Sequence, residues 1–169
     1  MSIESLSAWL VSLLQNRGLD RADGRLLFAY DLSPSEYADL GRLLTDTIAI
    51  AGGMDALATR CLGRPPIIGP PAAFVLFASE WWKREYGGGV WDWSPIVGRL
   101  KADPDAFPQL LRSHFVVRGL AFWQLTPLDN GRRFIGSIVV NGGIPLRLLS
   151  QGAGPVTTVL SQVLKLGAR

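Results

Sequence analysis

The stretch that most restricts what this chain can become is Pro71 to Trp93, PAAFVLFASEWWKREYGGGVWDW, which gathers four of the six tryptophans into one helix-length run and the loop behind it. At helical spacing Phe74, Phe77, Ala78, Trp81 and Glu85 share one face, and Val75, Trp82 and Tyr86 widen it until the first half is apolar nearly all round. That pattern predicts a buried central helix. Pro70 and Pro71 suit its first turn, where a missing N–H costs nothing, and Gly87, Gly88 and Gly89 end it. Trp91 and Trp93 flank Asp92 with the alternation of an extended segment, folding back so that one indole packs on the helix. The predicted structural core is therefore Phe74, Phe77, Trp81, Trp82, Trp91 and Trp93, each burial stabilising by roughly 2–3 kcal/mol. Polar residues enter only as Glu80, Lys83, Arg84 and Glu85, with Glu80 placed for an i,i+4 ion pair with Arg84, so this end is expected at the surface.

The flanking sequence is also helical. Ile3 to about Arg17 carries Leu6, Trp9, Leu10, Leu13 and Leu14 on one side, with Ser2 as N-cap and Gly18 past the end. Ser33-Pro34-Ser35-Glu36 is a capping box with proline at the first helical position, and the helix it opens continues to Ala51, before Gly52-Gly53. Met54–Leu62 forms a shorter one. Ser94-Pro95 opens a helix to about Ala102, and Asp103-Pro104-Asp105 caps another running from about Pro104 to Gly119, with Pro108 tolerated near its first turn.

Two segments stay open. Leu26–Tyr30 fits a short strand or a helical turn. Arg132–Val140 leans to helix although Gly136 and its β-branched residues weaken that case. Pro127 with Asp129-Asn130-Gly131 marks a turn and Asn141–Pro145 a break. Pro145–Ser150 is a short helix, Gly152–Pro155 breaks again, and Val156–Leu166 is the last helix, with Val159, Leu160, Val163 and Leu164 apolar. No repeat of 20–50 residues is present, which argues against a solenoid. The expected fold is all-α: a single domain over residues 1–169, an orthogonal bundle of about seven helices around the tryptophan-rich one.

Composition bounds the function. Hydrophobic residues make up 48% of the chain and charged ones 18%, apolar enough to imply that part of the surface is covered, by a protein partner or by self-association. No run reaches the roughly 20 apolar residues of a membrane span, and Glu4 sits where a signal peptide would be basic, so a cytoplasmic protein is expected. His114 and Cys61 are the sole residues of their types, which excludes a zinc cluster or an H-E-x-x-H site. They read more simply as a structural imidazole and a small buried hydrophobe. No glycine motif for cradling phosphate occurs, and no cofactor is expected.

Glu80, Glu85 and Asp92 have the spacing of a carboxylate cluster for magnesium, but Lys83 and Arg84 are simpler partners. No catalytic or metal-binding residue is assigned, and an enzyme using Glu80 and Asp92 stays as one alternative. The other alternative is nucleic-acid binding. Residues 106–169 hold seven basic side chains and one acidic, with Arg112, Arg118, Arg132, Arg133 and Arg147 as the candidate contacts, although they are spread along the chain rather than clustered.

The run Phe77–Tyr86, FASEWWKREY, followed by paired glycines and Trp91-x-Trp93-x-Pro95, resembles a segment near the amino terminus of large bacterial proteins encoded beside helicases in anti-phage defence islands, of the Druantia kind. Asn141-Gly142-Gly143-Ile144-Pro145 is similar to a glycine-glycine-x-proline element in such proteins. The resemblance implies a helical amino-terminal module and carries over no active site. With the composition, it points to a non-catalytic interaction domain that docks on a larger defence or mobile-element protein.

Overall fold

The computed structural model describes residues 3–128 and 135–167. Among them the chain forms nine α-helices, one 3₁₀ helix and no strand. They are α1 (Ile3–Asn16), the 3₁₀ helix Leu27–Tyr30, α2 (Pro34–Ala51), α3 (Met54–Leu62), α4 (Gly69–Glu85), α5 (Ser94–Arg99), α6 (Gln109–Phe122), α7 (Ile135–Asn141), α8 (Leu146–Leu149) and α9 (Ala153–Gly167). The fold class is all-α, with nine α-helices among the described residues where about seven were expected.

Helix α4 is the axis of the bundle. Every residue from Gly69 to Trp82 is buried, and α1, α2, α3, the 3₁₀ helix, α6, α7 and α8 all pack on it. A helix enclosed on all sides has no polar stripe, which is why the sequence is apolar all round. Its proline pair lies in the first turn. The tightest neighbour is α6: a Cβ on Gly119 would fall 2.7 Å from Val75 Cγ1 and against the Pro71 carbonyl, so glycine is what lets the two backbones meet.

Phe74 is the aromatic hub. Trp93 stacks on it at 5.7 Å, while Phe107 and Phe115 meet its ring edge-on at 5.9 and 5.7 Å. Phe77 stacks on Tyr37 at 5.2 Å. Trp82 lies face to face with Tyr86 at 4.1 Å and edge to face with Trp91 at 5.5 Å, so both indoles of the extended loop, not one, return to the helix. Trp91 remains half-buried. The Trp82 indole N–H donates to the Gly143 carbonyl at 2.9 Å, and a Cβ on Gly142 would fall 2.5 Å from Trp82 Cδ1. The Asn141–Gly143 break is thus a cradle for this indole.

Local chemistry explains the boundaries. The capping box is complete, since the Ser33 hydroxyl accepts from the Glu36 N–H at 3.2 Å and Glu36 accepts from the Ser33 N–H at 2.7 Å. Leu27–Tyr30 resolves as a single 3₁₀ turn closed by left-handed Asp31. The N-cap of α5 is Trp93 rather than Ser94, and Asp92 just before it accepts from the Trp93 N–H at 2.7 Å. Helix α6 departs most from expectation: it starts at Gln109, five residues late, and runs to Phe122. Pro108 forbids helical geometry in the residue before it, so 103–107 close as turns, with the Asp105 N–H donating to Asp103 Oδ1. The Ser2 cap and the 129–131 turn lie outside the described residues.

Helix α7 forms despite its β-branched residues because Ile135, Ile138 and Val139 are buried and Asn141 Nδ2 donates to the Ser137 carbonyl at 2.7 Å. Helix α9 begins earlier than expected, with Gly154 and Pro155 accommodated in its first turn, where proline loses no hydrogen bond.

Candidate functional site

The polar end of α4 is where a carboxylate site would have to be. Glu80 is fully buried rather than at the surface, and its partners Lys83 and Arg84 reach on to Asp31 and Leu32, between the 3₁₀ helix and α2. Arg84 Nε donates to Glu80 Oε2 at 2.6 Å, and Lys83 Nζ stands 3.7 Å from Oε1, which has no hydrogen-bond partner among the described residues. A second Arg84 nitrogen donates to the Leu32 carbonyl, and the guanidinium sits 5.4 Å from the Tyr37 ring centre. Lys83 reaches on to Asp31 at 3.0 Å. Tyr37 donates its hydroxyl proton to Glu85 Oε1 at 2.7 Å, and Arg99 pairs with the same carboxylate at 3.1 Å. Arg17 grips Glu36 through two nitrogens at 2.6 and 2.9 Å and donates to the carbonyls of Tyr30 and Asp31.

The protonation equilibria follow these contacts. Glu36 is pulled down to about 2, chiefly by the Arg17 hydrogen bond, and Asp31 is lowered by Lys83. Burial, then the bond to Glu85, pushes the Tyr37 phenol far above its ordinary value. Asp92 is lowered mainly by its hydrogen bond with Ser94. The three carboxylates weighed as a magnesium cluster therefore serve three separate tasks: Glu80 pairs with Arg84, Glu85 joins Tyr37 to Arg99, and Asp92 accepts from the Trp93 N–H ahead of α5. Among the described residues no three His, Cys, Asp or Glu side chains are arranged to hold a metal ion. Chemically the arrangement is a fastening that ties the 3₁₀ helix, α2 and α5 to α4.

The sequence-predicted arginines separate. Arg112 lies over Trp93 at 5.8 Å and Phe107 at 6.0 Å, and donates to the Phe107 carbonyl at 3.2 Å. Arg118 donates to the Cys61 carbonyl at 3.1 Å, and Arg147 is exposed on α8. Arg132 and Arg133 lie outside the described residues. Cys61 is buried, and that burial pushes its thiol up to about 11 against the opposing pull of Arg118 and Arg60. His114 is exposed rather than structural, because the inward face of α6 is taken by Phe115, Val116, Gly119 and Leu120.

The feature that sequence reasoning missed is an apolar edge. Helix α9 packs on α7 and α8, burying Val159 and partly burying Val156 and Val163, while Leu160 and Leu164 on the same helix face out, Leu164 71% exposed. On adjoining α8, Leu146 and Leu149 are each about half exposed. The sequence signal was present, since α9 has more apolar residues than one face requires, but nothing local says which of them lacks a neighbour.

The model of the YjiT N-terminal domain family matches residues 2–144. This chain belongs to that family. As a YjiT N-terminal domain it shares 29% identity over 163 residues with protein YjiT of Escherichia coli (strain K12), an alignment that takes in 94% of this chain and 29% of that protein. The chain thus spans less than a third of its curated relative's length. No solved structure matches it. The matched region holds α1 to α7, including the whole α4 core and its polar fastening, whereas α8 and α9 lie beyond it.

Proposed function

We propose that this YjiT N-terminal domain is a non-catalytic interaction module that docks on the remainder of a YjiT-type protein, in the same polypeptide or in a separate chain. The observation that carries this reading is the pair of adjoining helices, α8 and α9, each showing solvent two leucines just past the family-matched region. Covering a half-exposed leucine is worth about 1 kcal/mol, so four of them supply a useful share of a docking energy. The great length of the E. coli relative beyond the aligned part provides a surface for them to meet. The pairing of buried Glu80 with Arg84 and the raised thiol of Cys61 support a scaffold rather than a reactive interior. The resemblance of Phe77–Tyr86 to defence-island proteins supports placing the module in a bacterial anti-phage or mobile-element system.

Amide hydrogen exchange tests the reading. Residues 146–164 are expected to exchange more slowly in a longer YjiT-type polypeptide carrying this domain than in the isolated chain. The double substitution Leu160→Asp, Leu164→Asp is expected to erase that difference. Equal exchange in the two contexts overturns the proposal.

A further inference from the structure

A cleft of about 310 Å³ opens between α2 and the end of α5, with Phe77 of α4 at its base. Ala38, Gly41 and Thr45 follow one another along α2 at spacings of three and four residues, so one face of that helix gives the cleft small side chains. The space depends on them, since a Cβ on Gly41 would already fall 3.1 Å from Phe77 Cε2. Tyr37 also lines the cleft, but it is 9% exposed, with Phe77 stacked on it at 5.2 Å and the Arg84 guanidinium over its ring at 5.4 Å. No aromatic face is left open for a planar ligand to stack on.

The two walls differ in chemistry. The α5 wall, Arg99 and Lys101, donates. Arg99 hydrogen-bonds Glu85 through Nε alone, which leaves its two terminal nitrogens for another acceptor. Exposed Lys101 forms no ion pair among the described residues. It stands where helices commonly end in glycine: its φ is +56°, its N–H donates to the Gly98 carbonyl at 2.9 Å, and the Ala102 N–H donates to the Val97 carbonyl at 3.3 Å. The turn itself has no need of a lysine side chain. The α2 wall accepts. The Thr45 hydroxyl gives its one proton to the Gly41 carbonyl at 2.8 Å and keeps its lone pairs, and Asp46 meets Arg42 at 3.8 Å, beyond hydrogen-bond length. Arg42 is also held by Asp39 at 3.4 Å, so the cations open to a ligand are those of the α5 wall.

A ligand that satisfies both walls carries an anion at one end and hydroxyl groups at the other. Phosphate, with three acceptor oxygens and nearly two negative charges, suits an arginine and a lysine two residues apart better than a single carboxylate does. We infer that the α2–α5 cleft binds a small phosphorylated sugar or polyol, its phosphate on Arg99 and Lys101 and its hydroxyls on Thr45 and Asp46. The site shares no residue with the α8–α9 edge, so it stands or falls apart from the docking role.

Amide NMR titrations of the whole ¹⁵N-labelled chain at constant ionic strength test this, with ribose 5-phosphate, glycerol 3-phosphate, inorganic phosphate and unphosphorylated ribose as probes. Saturable shifts are expected at Gly41, Thr45, Arg99 and Lys101, with at least one ester binding more tightly than inorganic phosphate, and with no binding of ribose. Lys101→Glu reverses a charge and Ala38→Phe fills the cleft, and each is expected to weaken the ester at least about tenfold while the remaining spectrum is unchanged. Both positions are exposed, so the fold has no need of either side chain. Arg60→Glu, at an exposed position of α3 away from the cleft lining, is expected to bind as the parent does. Five results overturn the proposal: shifts that never saturate, inorganic phosphate binding as tightly as both esters, ribose binding as tightly as its phosphate, full affinity in either cleft variant, or an equal loss in Arg60→Glu.

Discussion

At the polar end of α4, the four cations Arg17, Lys83, Arg84 and Arg99 meet the four carboxylates Asp31, Glu36, Glu80 and Glu85, each cation within ion-pair distance of at least one. Arg60, Arg64 and Arg118, on or beside α3 and α6, form no ion pair among the described residues. The residue types are similar and the difference is solvent. A charge that the bundle must cover, as it does Glu80, needs a partner, so the Glu80–Arg84 pair is fixed by the fold, whereas exposed Arg60 and Arg64 keep their hydration. Matching around Glu80 therefore marks structure in this molecule, whereas a cation left in solvent carries no such mark.

The sharpest way to break this comparison is to unmatch the buried pair. Arg84→Met leaves Glu80 with only Lys83, 3.7 Å away, and is expected to lower unfolding free energy by about 3–5 kcal/mol, read as a drop in the urea midpoint. A loss below about 1 kcal/mol would mean that water already reaches Glu80 and that the fastening is no tighter than a surface pair.

Helix α6 carries the same contrast across its own width. Gly119→Ala forces a methyl group against the Pro71 carbonyl and Val75 on the inward side, where neither backbone can retreat, and is expected to cost about 3 kcal/mol. His114→Ala on the outward side is expected to change stability by less than about 0.5 kcal/mol. Thermal unfolding of the two variants side by side checks both values, and similar losses would show that the outward side of α6 belongs to the core after all.

What could be read from the sequence was what depends on near neighbours. The Ser33–Glu36 capping box, the proline-started α4 and its all-round apolar pattern are each decided within one or two turns, and the structure has all three. The Pro108 start of α6 is in principle equally local, but the Asp103-Pro104-Asp105 signal competes with it, and it is the proline's restriction on Phe107 that prevails. Burial of Glu80, exposure of His114 and the outward turn of Leu160 and Leu164 depend on which distant element arrives beside them. The Asp31–Leu32 segment that holds Lys83 and Arg84 beside Glu80 lies 52 residues back along the chain, and α-helical spacing says nothing about it. Trp123 makes the point most plainly. It is fully buried and its indole donates to the Ala72 carbonyl at 2.9 Å, yet its own surroundings, AFWQL, carry no sign of that role.

The smallest expected effect concerns the Arg17–Glu36 grip, a half-buried part of the matched network where about a quarter of the Glu36 side chain still sees solvent. Glu36 titrates at about 2 in the folded chain against an ordinary 4.5, so folding favours its charged form. The stability that this provides is present in full above pH 4.5 and is lost as the pH falls from 4.5 toward 2. Partial exposure and salt screening limit it to under about 1 kcal/mol. Other carboxylates titrate over the same range, Asp31 among them, so the useful quantity is the stability difference between the parent and Arg17→Met, measured by urea unfolding at several pH values. That difference is expected to be constant from pH 7 to about 5 and to shrink below 4.5 as Glu36 takes up its proton. A difference that stays level to pH 2.5 would place the value of Arg17 in its bonds to the Tyr30 and Asp31 carbonyls, and would remove one of the four charge matches on which the contrast between the two faces rests.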